Sequence, residues 1–118
     1  MNKLVSNFLP PLLTLLAVSV GPFFTMEVRA DQTKANNNSN LELGVSWSSG
    51  TAPAGDNAVW NSIVTTPADC TNTLGGTAIW NGITINNPAA AVVINGNTTL
   101  TISNGINLGS ATVGLTIP

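Results

Sequence analysis

The sequence predicts an all-β protein, and within that class a parallel β-helix whose coils take about twenty residues each. One observation is that residues 31–118 show no helical spacing and are rich in Asn, Thr and Gly, which disfavour helices. The other is a motif that recurs as Val59-Trp60-Asn61-Ser62-Ile63, Ile79-Trp80-Asn81-Gly82-Ile83 and Ile102-Ser103-Asn104-Gly105-Ile106. Repeated units of this kind bury their apolar faces by stacking on their neighbours.

Charged residues make up only 7% of the 118 residues, and the chain has no His and one Cys. A net charge of −2 gives no electrostatic attraction to nucleic acid or to an anionic membrane surface. The length allows at most one domain. We therefore expect no nucleic-acid partner.

Residues 1–30 have the features of a secretory signal peptide. Lys3 provides the positive start, residues 12–26 form the apolar core, and Val28-Arg29-Ala30 offers small residues for cleavage after Ala30. The alternative is a membrane anchor, but the apolar core is shorter than the twenty or so residues that span a bilayer. The sequence predicts a protein that is secreted or displayed on the cell surface, without a stable membrane span.

Residues 31–40 are predicted to form a flexible polar leader, because none of them is a large apolar residue that could pack. Asn37-Asn38-Ser39 is a glycosylation sequon within it. A disordered tail is favoured over a glycan-bearing arm because such short patterns are common by chance.

Residues 41–118 are predicted to be the β-repeat region. Leu41, Leu43 and Val45 alternate with smaller or polar residues up to Trp47, which indicates a half-buried strand. Turn-forming residues 48–55 and a loop over residues 65–76 flank a strand at residues 58–60. Further strands are predicted at residues 78–80, 83–85, 91–94, 99–103, 106–108 and 113–117.

Asn-Gly steps at residues 81–82, 95–96 and 104–105 are compatible with two architectures. Between alternating runs they indicate β-hairpins, and hence an antiparallel sandwich or meander. In a parallel β-helix they would turn the chain at coil corners. The coil is favoured because the motif matches in register over intervals of twenty and twenty-three residues, with the extra three placed in a loop.

The coil predicts three ladders of stacked side chains. Two are aliphatic and one is made of amides. Their members are Val59, Ile79 and Ile102; Ile63, Ile83 and Ile106; and Asn61, Asn81 and Asn104.

Three segments of the chain carry a resemblance to a known protein family. They are Trp47-Ser-Ser-Gly50-Thr-Ala-Pro53-Ala-Gly55-Asp56-Asn57-Ala-Val-Trp60, Trp80-Asn-Gly-Ile-Thr-Ile85 and Leu100-Thr-Ile102. From Leu43 to Pro118 the chain resembles the start of bacterial proteins with autotransporter-associated β-strand repeats. The resemblance implies a large β-helical protein, secreted or adhesin-like on the cell surface, with a structural or adhesive role. Such proteins carry long repeat arrays, so residues 41–118 are expected to be incomplete at the C-terminus.

Chemistry-bearing residues are few. A zinc site needs three or four ligands, but residues 31–118 hold one Cys and no His. The sequence shows no spacing typical of a catalytic carboxylate pair among Glu42, Asp56 and Asp69. Lys34 is the only cation left after cleavage. We expect no enzyme, no metal and no cofactor, with the remnant of a β-helical carbohydrate-active enzyme as an alternative.

Asp56 follows Gly55 in a turn, where its carboxylate is expected to cap backbone N–H groups rather than to bind calcium, which needs six or more oxygen ligands. Cys70 is expected to be a small buried residue, with an intermolecular disulfide as the alternative.

Trp47, Trp60 and Trp80 have two interpretations. They could form a glycan-stacking face, which would make the chain a small secreted carbohydrate-binding module. Core packing is favoured, with Trp60 stacked on Trp80, because these two residues occupy equivalent positions in the motif. The expected partners are downstream repeats of the same parent chain or a second copy bound through the C-terminal edge, together with surface glycans in the alternative.

Overall fold

The computed structural model describes residues 29–109 and 111–118, so the predicted signal peptide lies outside the described residues except for Arg29 and Ala30. The described residues form a β-solenoid of about four turns built from two parallel sheets. All strand pairs in these sheets are parallel. The parallel β-helix prediction is therefore confirmed over the antiparallel sandwich.

Seven strands, numbered here in chain order, make up the two sheets. The first sheet has the order β1-β2-β4-β6 and the second has the order β3-β5-β7, so from β2 onward successive strands alternate between the two sheets. The strands are β1 (Asp31–Thr33), β2 (Asn57–Asn61), β3 (Thr71–Thr73), β4 (Ala78–Asn86), β5 (Val92–Asn95), β6 (Leu100–Asn107) and β7 (Leu115–Thr116). Short 3-10 helices at Gly44–Ser46 and Pro67–Cys70 complete the described elements.

The core lies between the two sheets. Side chains alternate across a strand with period two, so every second residue points inward. Trp60 on β2, Ile83 and Ile85 on β4, and Val92 and Ile94 on β5 are all buried. The solenoid is thus held by one continuous apolar core that its neighbouring turns share.

The turns are longer than the predicted twenty residues. Asp31 pairs with Asn57 and Asn57 with Gly82, which gives turns of 26 and 25 residues, and the pairing of Gly82 with Gly105 gives a turn of 23. As a consequence the ladder partner of Trp60 is Ile85 and not Trp80. The spacing of the sequence motif therefore differs from the length of the structural turn. The backbone pairing and the corner loops determine that length.

The predicted ladders are correct in one pair and otherwise shifted. Ile83 pairs with Ile106 as expected, but Ile79 lies beside Thr101, one residue from Ile102. Val59 pairs with Thr84.

Asn81 does join an amide ladder, but with Asn57 and Asp31 in place of Asn61 and Asn104: the amide of Asn81 donates to Oδ1 of Asn57 at 2.7 Å, and that of Asn57 donates to Oδ1 of Asp31 at 2.9 Å. We call Asp31, Asn57 and Asn81 the amide ladder. It joins three successive turns on the outer face of the first sheet.

Two of the Asn-Gly steps lie inside strands. Residues 81–82 in β4 and 104–105 in β6 coincide with a register shift, where β6 contributes one extra residue. Gly105 takes a φ of +126°, which suits glycine at such a bulge. Only residues 95–96 end a strand, with Gly96 at a φ of +151°.

The predicted flexible leader is wrong, because residues 31–33 form β1 and pair with β2. The residues after it are also ordered by hydrogen bonds. Oδ1 of Asn36 accepts from the N–H groups of Thr65 and Thr66 at 3.0 and 3.1 Å. Backbone pairing and polar side-chain bonds order this segment, so it needs no large apolar residue.

The strand predicted at residues 41–47 is also wrong. Residues 34–47, which we call the N-terminal cap, fold over the first turn, with an antiparallel bridge between Lys34 and Trp47. The N–H of Leu41 donates to the carbonyl of Thr73 at 2.9 Å and so covers the edge of β3. Leu41 and Trp47 are buried while Leu43 and Val45 are exposed, which is the pattern of a 3-10 turn in place of a strand.

The predicted loop at residues 65–76 contains structure that the sequence did not reveal. The 3-10 helix Pro67–Cys70 buries the Cys70 side chain, as expected for a small core residue. Strand β3 follows it directly, and Asn72 is its buried residue. A strand of three polar residues has no apolar alternation from which it could be predicted.

Residues 99–118, which we call the last turn, are packed on one side only. The outer edges of β6 and β7 pair with no strand among the described residues. Ile106, Leu108 and Ile117 are each between 43% and 50% exposed. The two ends of the solenoid therefore differ, since the N-terminal cap covers one of them.

Candidate functional site

The three tryptophans form a single buried cluster, to which the N-terminal cap contributes Trp47, β2 contributes Trp60 and β4 contributes Trp80. The Trp47 ring lies 5.6 Å from that of Trp60 and 5.7 Å from that of Trp80, both edge-to-face, and Trp60 and Trp80 are 6.1 Å apart. All three are at most 2% exposed. The predicted packing of Trp60 against Trp80 is confirmed, and the buried rings present no face on which a glycan could stack.

Asn72 connects this tryptophan cluster to the second sheet. Its Oδ1 accepts a hydrogen bond from the indole N–H of Trp60 at 3.3 Å. Its Nδ2 is buried and has no hydrogen-bond partner among the described residues. A buried polar group of this kind costs stability, which the surrounding apolar packing offsets.

Asp56 does not cap its own turn. Its Oδ1 accepts from the backbone N–H of Ala30 and its Oδ2 from the side-chain amide of Gln32, each at 3.2 Å. The Asp56 carbonyl accepts from the N–H of Asn81 at 2.8 Å. Asp56 thus links the turn before it to the turn after it. This role is structural, as predicted, but the groups that Asp56 binds lie in neighbouring turns and not in its own turn.

Lys34 is buried within the N-terminal cap and does not lie in a mobile arm. Its Nζ donates to the carbonyls of Ala35 and Asn37 and to Oδ1 of Asn37. Burial lowers the pKa of Lys34, while the negative charge of Asp69 and the Cys70 thiol act in the opposite direction. All three donors of the Lys34 ammonium are therefore used within the cap, which indicates a structural role for this side chain.

Asn37, the acceptor residue of the sequon, is engaged in the same cap. Its side-chain amide donates to the carbonyl of Val45 at 2.8 Å, and its Oδ1 accepts from the N–H of Ser39 at 3.2 Å. The side-chain nitrogen that a glycan would occupy is therefore used within the fold.

An open cleft lies beside the cap, between residues 52–55 and the start of β4. It measures about 550 Å³ and is mainly apolar. Glu42 is its only charged lining residue, and Ile79 and Trp80 form part of its wall.

Glu42 is held at the rim of this cleft by hydrogen bonds. Its Oε2 accepts from the N–H of Gly75 at 2.8 Å and its Oε1 from the amide of Asn40 at 3.2 Å. Slight burial acts to raise the pKa of Glu42, but backbone and side-chain hydrogen bonds to the carboxylate outweigh it and lower the pKa. Glu42 is therefore an anion at neutral pH, which is the opposite of what a general acid requires.

A second groove, of about 280 Å³, crosses the outer face of β2, β4 and β6. Stacked Gly82 and Gly105 form its floor, and Asn57, Thr84 and Asn104 contribute polar walls. No charged residue lines it. Its chemistry is that of a neutral polar surface.

Within residues 29–109 and 111–118, no three His, Cys, Asp or Glu side chains come together as ligands. The same residues contain no helix that is long and apolar enough to cross a bilayer.

Comparison with known protein families, curated proteins and solved structures finds no match to this chain.

Proposed function

We propose that this chain is the N-terminal portion of an exported β-solenoid with a structural or adhesive role outside the cell. The features in favour are the signal-like start, the solenoid fold and the resemblance to autotransporter-associated β-strand repeats. The scarcity of chemistry-bearing residues favours a scaffold over an enzyme.

The observation that carries the proposal is the difference between the two ends of the solenoid. Repeat folds close an end with an atypical unit, and the N-terminal cap is such a unit. The last turn instead leaves the outer edges of β6 and β7 without a paired strand among the described residues. Such an edge is a template for further strands, so we propose that it binds downstream repeats of the parent chain or, in their absence, a second copy.

Light scattering on the full chain exported from a bacterial host tests this proposal. Ile106 continues the inward ladder of Ile83 at the open end, so Ile106→Lys places a charge where the next turn would pack. We expect the parent chain to associate and Ile106→Lys to reduce this association at least several-fold. Ile79→Lys is the matched control, because Ile79 is 58% exposed but lies on an interior turn.

If the parent chain is monodisperse and monomeric, the last turn is not an assembly surface and the scaffold proposal fails. Equal effects of Ile106→Lys and Ile79→Lys would show instead that association is nonspecific.

A carbohydrate-binding module is the second candidate, and it is favoured by the polar groove over Gly82 and Gly105. Amide and hydroxyl side chains without charge suit the hydroxyl groups of a neutral glycan. Titration with cellohexaose, followed by NMR, would move the signals of Thr84 and Asn104 if this candidate is correct. Unchanged spectra at millimolar glycan would remove it.

A further inference from the structure

The predicted cleavage site lies at the start of the first strand, where the backbone is already hydrogen-bonded. The Ala30 carbonyl accepts from the N–H of Asn57 at 3.0 Å, and Nη1 of Arg29 donates to the Gly55 carbonyl at 2.7 Å. The Ala30–Asp31 peptide bond is thus the start of a hydrogen-bonded sheet strand. Because proteases cleave extended, unpaired backbone, cleavage here precedes the folding of β1.

Cleavage after Ala30 removes several bonds that hold the first turn. The losses are the Ala30 bonds to Asn57 and to Oδ1 of Asp56, and the Arg29 bond to Gly55. The same reaction, hydrolysis of one peptide bond by one water, leaves a carboxyl on Ala30 and a new α-amino group on Asp31. This amino group lies one residue, roughly 3.3 Å, further along the strand than the Ala30 nitrogen.

The geometry points to Asp56 as the binding site for the α-ammonium of the processed chain. Oδ1 of Asp56 already accepts from the Ala30 nitrogen at 3.2 Å, and this oxygen loses its donor on cleavage. Its Oδ2 remains held by Gln32 on β1, so the carboxylate stays aimed at the start of that strand. The inference rests on the proposed export. It gives signal-peptide cleavage a second function, which is to supply the new donor that completes the hydrogen bonding of the first turn.

The charged groups around the new terminus favour this ion pair. Asp31 supplies a second carboxylate, and that side chain is held by the amide of Asn57. Arg29, the cation beside the Gly55 carbonyl, leaves with the signal peptide. The ammonium of Lys34 donates to Ala35 and Asn37 within the cap, so it does not compete for Asp56.

An ion pair with Asp56 stabilises the ammonium form, so the folded chain holds this proton more tightly than the unfolded chain. An α-amino group in an unfolded chain titrates at about 7.7 to 8.0. The stabilisation is therefore complete below that range and is lost as the pH rises through the higher folded value.

The test uses the full chain exported from a bacterial host, with and without Asp56→Asn. The mass and N-terminal sequence first establish the processed end, and thermal midpoints are then compared at pH 6.5 and pH 10. We expect Asp56→Asn to lower the midpoint by several degrees at pH 6.5, with at least half of this difference gone at pH 10. Titration of Lys34 affects both proteins equally and cancels in the comparison.

Acetylation of the α-amine is the matched control, since Lys34 is the only other amine in residues 31–118 and is buried. Acetylation should abolish the pH dependence of the Asp56→Asn effect. An Asp31 terminus with the same effect of Asp56→Asn at both pH values overturns the ion pair alone. An unprocessed terminus overturns the export proposal and the ion pair with it.

Discussion

At the scale of single residues, the tryptophan cluster shows how the chain uses its few large side chains. Three rings in mutual contact, with Trp47 edge-to-face on the other two, fill the core where the cap, β2 and β4 meet. Aromatic contacts of this kind add about 0.5–1.5 kcal/mol per pair to the burial of the rings themselves. We therefore expect the capped end to be the most stable part of the solenoid.

Replacement of either Trp60 or Trp80 by Ala should lower the free energy of unfolding by about 3–5 kcal/mol, because each leaves a large cavity in a closed core. Urea unfolding followed by circular dichroism measures this. Ile79→Ala is the control, and its effect should stay within about 1 kcal/mol because Ile79 is exposed. Unfolding of both tryptophan variants at the parent's urea concentration would contradict the cluster.

Gly96 provides a second prediction at this scale. Its φ of +151° is unfavourable for other residues, and a Cβ there would lie 2.6 Å from the Leu74 carbonyl oxygen. Gly96→Ala should therefore destabilise the chain by about 1–3 kcal/mol. Gly114→Ala meets no atom within 4 Å and should be nearly neutral in the same urea experiment. Equal midpoints for the two variants would count against the corner geometry.

At the scale of elements, the N-terminal cap is held by polar bonds as much as by packing. Glu42 connects the cap to Gly75, just beyond β3, and the Lys34 ammonium binds Ala35 and Asn37 at the start of the cap. Glu42 gives the cap a dependence on pH.

We expect the cap to loosen in acid. Because the folded pKa of Glu42 lies below its ordinary value of 4.5, its contribution is complete above that pH and is lost as the pH falls through the folded value. The effect is modest because solvent screens the carboxylate. Hydrogen exchange of the Gly75 amide at pH 6 and pH 3 measures it, and Glu42→Gln should remove most of the difference. A Gly75 amide that exchanges alike in parent and variant at both pH values, after correction for intrinsic rates, would refute this role.

Sequence patterns predicted the fold class and the strands with apolar alternation, such as β2 and β5. They did not predict β1 and β3, whose residues are polar and whose order comes from backbone pairing with β2 and β5. They also placed the register incorrectly, because Trp60 and Trp80 share a motif but not a ladder position. A repeated motif shows only which residues are adjacent in the sequence. The register of strand pairing depends also on the lengths of the loops, which the motif does not constrain.

The site was predicted less completely than the fold. The burial of the tryptophans and of Cys70 follows from their chemistry and was expected. The partners of Asp56 and Lys34 were not, since they depend on which turns lie side by side. Such contacts can be derived only once the register is known.

At the scale of the whole molecule, charge is distributed unevenly. All eight charged side chains lie between Lys3 and Asp69, and residues 70–118 contain none. Natural sheets commonly protect an open edge with charged residues, and the last turn has no such protection. The uncharged end is therefore the part of the solenoid best suited to contact other strands.

Association through this end should be almost independent of salt. Raising the salt concentration from about 0.05 M to 0.5 M screens charge interactions, but apolar burial and backbone hydrogen bonds persist. Sedimentation of the parent chain across this range should give the same association constant within about three-fold. A ten-fold or larger loss at high salt would place the contact at the charged end and would refute assembly through residues 99–118.

The position of the tryptophan cluster also determines what intrinsic fluorescence can report. The chain has no tyrosine, and the three indoles form one cluster in which Trp47 belongs to the N-terminal cap and Trp80 pairs with Ile102 of β6, the uncapped edge strand. Emission will consequently respond both to loosening of the cap and to fraying of β6. A fluorophore introduced near Leu108 would report on the uncapped end alone and so distinguish the two events.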